Sequence, residues 1–151
     1  IGWKLAPHML DYNLFLFDDR QVTFLRTVCN SFSKAVKLSL NPNWYEITSD
    51  ISLQHIMIDN GKINLIDRER RTIGQVEYMI ADFLLDIESS SDTWLFLLNN
   101  GLPKDCNKKQ LVESLSYKLF YRTILESVLQ NKVILPYLDA LDTLLSIEEN
   151  L

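Results

Sequence analysis

The stretch TSDISLQHIMIDNGKINLID, residues 48–67, decides the fold of this 151-residue chain. Within it, two short apolar runs stand on either side of Asp59-Asn60-Gly61. Asn-Gly favours a type I′ turn, because both central residues of that turn take positive φ angles. The stretch therefore predicts a β-hairpin over residues 56–66.

The two carboxylates that flank this hairpin are the first candidate functional groups. Asp50 lies in the loop before the hairpin, and Asp67 stands at the end of its second strand. In phosphoryl transfer, one carboxylate orients the attacking hydroxyl and a second holds Mg²⁺ against the nucleotide phosphates. Each residue also has a simpler interpretation. Asp50 can cap a turn, and Asp67 can pair with the arginines of residues 68–71 in a solvated charge cluster.

The rest of the chain predicts helices. Apolar residues recur at helical spacing, and only four glycines and four prolines are present, which argues against a many-turned sandwich or barrel. The predicted helices cover about residues 19–40, 75–87, 91–100, 109–130 and 136–149. Residues 44–47 are β-prone, and the first 20 residues show no clean period. We therefore expect a mostly α domain with one short embedded β-hairpin.

Taken in order, these residues resemble the C-terminal lobe of the protein-kinase-like fold. In the kinase catalytic-loop pattern H-R-D-x-x-x-x-N, Asp50 matches the catalytic Asp, and His55 falls where Asn is expected. Asp67 matches the Asp of the D-F-G motif. The resemblance covers roughly residues 19–90. Asp50-Ile51-Ser52-Leu53 is most similar to a divergent kinase family of the secretory pathway, which implies that compartment.

The resemblance implies a residual nucleotide site in the motif region 48–74 of a single kinase-like lobe spanning residues 1–151. Asp50 would position an acceptor hydroxyl, and Asp67 with His55 would bind ATP through Mg²⁺ or Mn²⁺. The sequence has neither a G-x-G-x-x-G loop nor a V-A-I-K strand, so the N-terminal lobe of a kinase is absent from this chain. We therefore expect a protein partner, or a missing N-terminal lobe, to complete it.

Departures from the kinase pattern favour a non-catalytic role. His55 replaces an amide that ligates the metal, and imidazole prefers softer ions than Mg²⁺. Arg68-Glu69 replaces the Phe-Gly of the metal motif. With the N-terminal lobe absent as well, we expect a pseudokinase that acts as an interaction or regulatory module and that is not an enzyme by itself.

Two alternatives stay open. One is a phosphotransferase lobe that becomes active with metal and ATP once an N-terminal lobe completes it. Its support is the short segment of about seven residues between Asp67 and the next helix, which resembles small-molecule phosphotransferases of the same fold. The other is a helical adaptor domain unrelated to kinases. For His55, the simpler interpretation is a half-buried polar residue that ligates nothing.

Composition excludes several classes of partner. The formal net charge of −5 makes nucleic acid a poor partner, since phosphate binding needs a basic face. No uncharged apolar run approaches the ~18 residues that span a bilayer, so we expect no transmembrane segment. Cys29 and Cys106 leave two alternatives open: one disulfide, or two buried thiols.

Overall fold

Helices dominate the described part of the chain, as the apolar periodicity predicts. The computed structural model describes residues 2–38, 45–48, 51–66, 71–87 and 90–151. The helices in these ranges are α1 (Gly2–Tyr12), α2 (Asp19–Leu38), α3 (Val76–Asp86), α4 (Ser91–Asn100), α5 (Lys108–Gln130) and α6 (Leu135–Glu149). The strands are β1 (Tyr45–Thr48), β2 (Ile56–Asp59), β3 (Lys62–Leu65) and β4 (Arg71–Gly74). The prediction of a mostly α fold with an embedded hairpin is confirmed.

The chain divides into two compact units, of which the first contains residues 1–41 and 116–151. Here α1 packs against α2, and an exposed ion pair joins Arg26 to Asp11 at 3.2 Å. Asp18 caps α2, because its Oδ1 accepts the N–H of Gln21 at 2.8 Å. The buried apolar residues of this unit include Leu10, Leu25, Val28, Leu119, Phe120, Ile124, Leu141 and Leu144. Burial of these side chains is the main term that stabilises this unit.

The second unit contains residues 42–115 and holds all four strands. Its buried apolar residues include Ile47, Ala81, Leu84, Leu85, Trp94, Leu98, Leu111 and Leu115. Ser90 caps α4 by accepting the N–H of Thr93, and Asn107 caps α5 by accepting the N–H of Gln110 at 3.1 Å. Buried Glu77 in turn accepts the N–H of Asn107 at 2.6 Å, so a carboxylate of α3 fixes the start of α5.

The strands form two separate antiparallel pairs, β2 with β3 and β1 with β4. In the first pair Ile58 lies opposite Ile63, as expected for a hairpin over residues 56–66. The second pair adds a strand, β4, that the sequence pattern did not predict. Residues 71–74 follow a run of charged residues, and their register partners stand well over 20 residues earlier in the chain. The motif region thus contains two small sheets instead of one.

No helix within the described ranges is both long enough and apolar enough to cross a membrane.

Candidate functional site

The turn of the hairpin has the backbone conformation that its sequence predicts. Asn60 and Gly61 take φ angles of 49° and 75°, the positive values that a type I′ turn needs at both central positions. Asp59 and Lys62 are register partners directly beside this turn. A two-residue turn of this kind fixes the register of the whole hairpin. The predicted β-hairpin is therefore confirmed.

The base of the hairpin is closed by main-chain bonds of His55. A 3-10 turn, Leu53–His55, leads directly into β2. The His55 N–H donates to the Ser52 carbonyl at 3.1 Å, and the His55 carbonyl accepts the N–H of Ile66 at 2.8 Å. His55 itself is half-buried. Since these bonds use only the main chain, they do not restrict which side chain can stand at this position.

A carboxylate from α3 reaches the same 3-10 turn. Asp86 Oδ2 accepts the backbone N–H of Leu53 at 3.2 Å, although the two residues are 33 positions apart in sequence. The first N–H groups of a helical turn have no acceptor within the turn, and the preceding Ser52 makes no capping bond with its side chain. Asp86 therefore caps the turn from a distant element.

The strands β1 and β4 bracket the loop and the hairpin. Thr48, the last residue of β1, is the register partner of Arg71, the first residue of β4. Arg71 also forms an exposed ion pair with Glu46, with 3.2 Å between Nη1 and Oε1. The chain therefore leaves this small sheet and returns to it at the same end.

The structure describes one of the three predicted site residues. Asp50 and Asp67 lie outside the described residues, so their assignments to an acceptor hydroxyl and to a metal stay predictions. His55 is described and lies at the base of the hairpin. Its assignment as a metal or nucleotide ligand stays a prediction as well.

Within the described ranges, no group of three or more His, Cys, Asp and Glu side chains is placed to hold a metal ion. Asp50 and Asp67 lie outside these ranges. The predicted ligand pair of Asp67 and His55, with ATP and Mg²⁺ or Mn²⁺, therefore rests on the resemblance alone.

The two cysteines are thiols and form no disulfide. Burial raises the pKa of Cys29 from 9.0 to about 12, with Asp11 adding to the rise and Arg26 opposing it. Burial, and then the neighbouring Glu77, raise the pKa of the half-buried Cys106 to about 11. Because the thiolate is the reactive form of cysteine, neither side chain is suited to nucleophilic chemistry near neutral pH. Of the two alternatives, the thiols are therefore correct and the disulfide is wrong, although only Cys29 of the two is buried.

Sequence reasoning missed two features that hold this region together, β4 and the bond from Asp86. Arg71-Thr72-Ile73 contains the β-branched residues typical of a short strand, which was a usable signal for β4. Asp86 gives a weaker signal. It is the last residue of α3, where a carboxylate is unfavourable because the helix C-terminus is the negative end of the helix dipole.

Comparisons of the chain with protein-family models, with curated proteins and with solved structures found no match in any of the three. The functional assignment therefore rests on the residues and contacts of the chain itself.

Proposed function

We propose that this chain is the helical lobe of a kinase-like fold and that it acts as a non-catalytic interaction or regulatory module, a pseudokinase. The observation that carries the proposal is the pairing of β1 with β4 across the motif region. Thr48, two residues before Asp50, pairs with Arg71, four residues after Asp67. A nucleotide–metal site with two carboxylates needs its two acidic segments at one place, and this pairing supports such an arrangement.

A second contact, at the base of the hairpin, supports the same arrangement. Ile66, the residue directly before Asp67, donates its N–H to His55, which ends the loop that begins at Asp50. The described neighbours of both carboxylates are therefore held by hydrogen bonds to one another. A helical adaptor unrelated to kinases does not require a strand, a loop, a hairpin and a second strand in this order. The contacts therefore favour the kinase-like alternative.

The side chains of the motif favour a non-catalytic module over an enzyme. Mg²⁺ takes oxygen ligands in near-octahedral geometry, and His55 offers a nitrogen where the kinase pattern has an amide oxygen. Arg68-Glu69 stands in sequence where the kinase metal motif has Phe-Gly. Both changes depart from the pattern of a metal–ATP site while leaving the hairpin intact.

The outer part of the hairpin offers a surface for a partner. Ile58 and Ile63 lie directly opposite each other on one face, and 74% and 71% of their surfaces are exposed. Exposed apolar side chains that are adjacent to one another are typical of interaction surfaces. The proposal assigns this surface to a partner protein or to an N-terminal kinase lobe supplied from outside the chain described here.

A thermal-shift titration with ATP and either Mg²⁺ or Mn²⁺ tests whether the module is non-catalytic. We expect no metal-dependent stabilisation of the wild-type chain, and the same melting temperature for Asp67→Ala. A ligand at 100 times its Kd would stabilise the folded state by roughly 2.7 kcal/mol, so binding would be easy to detect. Asp59→Ala, at the exposed hairpin turn, is the matched control for loss of a carboxylate.

The second candidate is a phosphotransferase lobe that is active when an N-terminal lobe completes it. The same two main-chain contacts favour it, because they suit a site in which Asp50 positions the acceptor hydroxyl and Asp67 holds the metal. A metal-dependent stabilisation that Asp67→Ala abolishes and Asp59→Ala retains would support this candidate and contradict the non-catalytic one.

A further inference from the structure

We infer that Asp86 is a positioning residue for the candidate site: it sets the path of the loop between Asp50 and the hairpin by capping the 3-10 turn Leu53–His55. This inference rests on the proposed function, because the loop matters to a ligand or partner only if the motif region is the site. Asp86 acts through the main chain of Leu53 and is not assigned any contact with a ligand.

The carboxylate of Asp86 lies at the unfavourable end of its helix. Asp86 is the last residue of α3, and that helix has no basic residue in its last turn to balance the charge. A carboxylate at this end of a helix opposes the helix dipole. The side chain is therefore locally unfavourable, and its bond to Leu53 is the compensation that the structure shows.

Main-chain contacts connect the bond from Asp86 to the base of the hairpin. Leu53 begins the turn, His55 ends it, and the His55 carbonyl accepts the N–H of Ile66. Because a 3-10 turn is short and its internal hydrogen bonds have poor geometry, an external acceptor at its first residue helps to set the path of the turn. Asp86 thus controls the position of the main chain on both sides of the hairpin base, one residue from Asp67.

Amide hydrogen exchange at Leu53 tests the inference directly. We expect Asp86→Ala to speed exchange of the Leu53 amide about tenfold, since it removes a charge-assisted acceptor. Asp86→Asn keeps an oxygen in the same place, so exchange should return to within about threefold of wild type. Asp105→Ala removes an exposed turn carboxylate from the same compact unit and should leave Leu53 unchanged.

Two outcomes separate this inference from the proposed function. An unchanged exchange rate at Leu53 in Asp86→Ala, or a failure of Asp86→Asn to restore it, would overturn the positioning role. A second measurement uses cysteines placed at positions 50 and 67, joined by a short bismaleimide. Rapid cross-linking that slows with Asp86→Ala supports both assignments. If exchange at Leu53 depends on Asp86 but no cross-link forms even with Asp86 intact, the positioning role stands and the kinase-like site is wrong.

Discussion

The helical region around α5 and the β2–β3 hairpin are each stabilised in a different way. Phe120 and Ile124 on α5 are fully buried, whereas Ile58 and Ile63 of the hairpin are 74% and 71% exposed. Burial of apolar surface therefore stabilises α5. The hairpin depends on its Asn60-Gly61 turn and on main-chain bonds at its base. The helical region thus depends on buried apolar side chains, whereas the hairpin depends on its turn and presents exposed apolar side chains.

Truncation of the largest fully buried side chain should have the largest effect on stability. Phe120→Ala removes a fully buried ring and leaves a cavity, so we expect a loss of about 3–5 kcal/mol in the free energy of unfolding. Urea denaturation measures this loss. Phe96→Ala, at a helical ring that is 63% exposed, should cost less than about 1 kcal/mol and serves as the matched control. Equal effects of the two variants would contradict the burial assigned to α5.

The buried carboxylate of Glu77 should have the next largest effect. Glu77→Ala removes the charged acceptor of the part-buried bond from the N–H of Asn107, which should lower the free energy of unfolding by about 1–3 kcal/mol. Glu77→Gln keeps an acceptor oxygen and should lose less than half as much. Urea denaturation of both variants checks the order. A larger loss for Gln than for Ala would show that the Glu77 oxygen does not serve this bond.

Among the strands and their turns, substitution of Gly61 or Gly74 should have the largest effect on the free energy of unfolding. Gly61→Ala forces an alanine into positive φ and should destabilise the fold by about 1–2 kcal/mol, although its Cβ would meet no other atom within 4 Å. Gly74→Ala should cost a similar amount of stability for a different reason. Its Cβ would lie 2.7 Å from Cδ1 of buried Ile47, which is a steric clash.

A second substitution separates these two causes. Ile47→Val removes the Cδ1 atom, so it should relieve part of the effect of Gly74→Ala and none of the effect of Gly61→Ala. A double-mutant cycle from urea denaturation gives both coupling energies. A coupling of Ile47 to Gly61 as large as that to Gly74 would contradict the backbone explanation for the turn.

The raised pKa of Cys29 predicts a smaller, pH-dependent effect in the helical unit. In the unfolded chain this thiol ionises near its ordinary pKa of 9.0, while the folded state keeps its proton up to about pH 12. The stabilisation is therefore complete below pH 9 and is lost as the pH rises towards 12. Between pH 7 and pH 9.5 we expect the wild-type chain to lose roughly 1 kcal/mol more than Cys29→Ala, in which only Cys106 still contributes a raised thiol pKa. Identical pH profiles for the two chains would refute the assignment.

The exposed hairpin pair should give the smallest effect. Ile58→Thr and Ile63→Thr each change an exposed strand residue to another β-branched one, so each should alter the free energy of unfolding by less than about 0.5 kcal/mol. Losses comparable to that of Phe120→Ala would mean that this face is covered within the chain, and the contrast between the two regions would fail.

Local signals in the sequence predicted the elements, and nonlocal contacts were harder to predict. The Asn60-Gly61 pair was sufficient for the hairpin, because the turn requires only those two residues. Apolar spacing predicted the helices from α2 onward to within a few residues, whereas Pro7 inside α1 interrupted the period there. The strand β4 is four residues long and is stabilised by pairing with β1, so its β-branched pair Thr72-Ile73 was a usable but short signal that does not identify the partner strand.

For the candidate site, too, the local pattern was predictable from the sequence and the long-range contact was not. The order of Asp50, His55 and Asp67 around a hairpin was visible in the sequence, and the structure confirms the hairpin on which that order depends. The bond from Asp86 to Leu53 was not predictable, because an acidic residue at a helix end has many possible partners and its partner here is 33 residues away.

Cross-linking of cysteines at positions 50 and 67 tests the central claim most directly. Both native cysteines are first replaced by alanine, and a cysteine pair at the register partners Asp59 and Lys62 is the positive control. The kinase-like proposal predicts that Asp50→Cys with Asp67→Cys forms the short bismaleimide cross-link at a rate similar to that control. A chain that remains folded, links the control pair and does not link positions 50 and 67 would contradict the proposal.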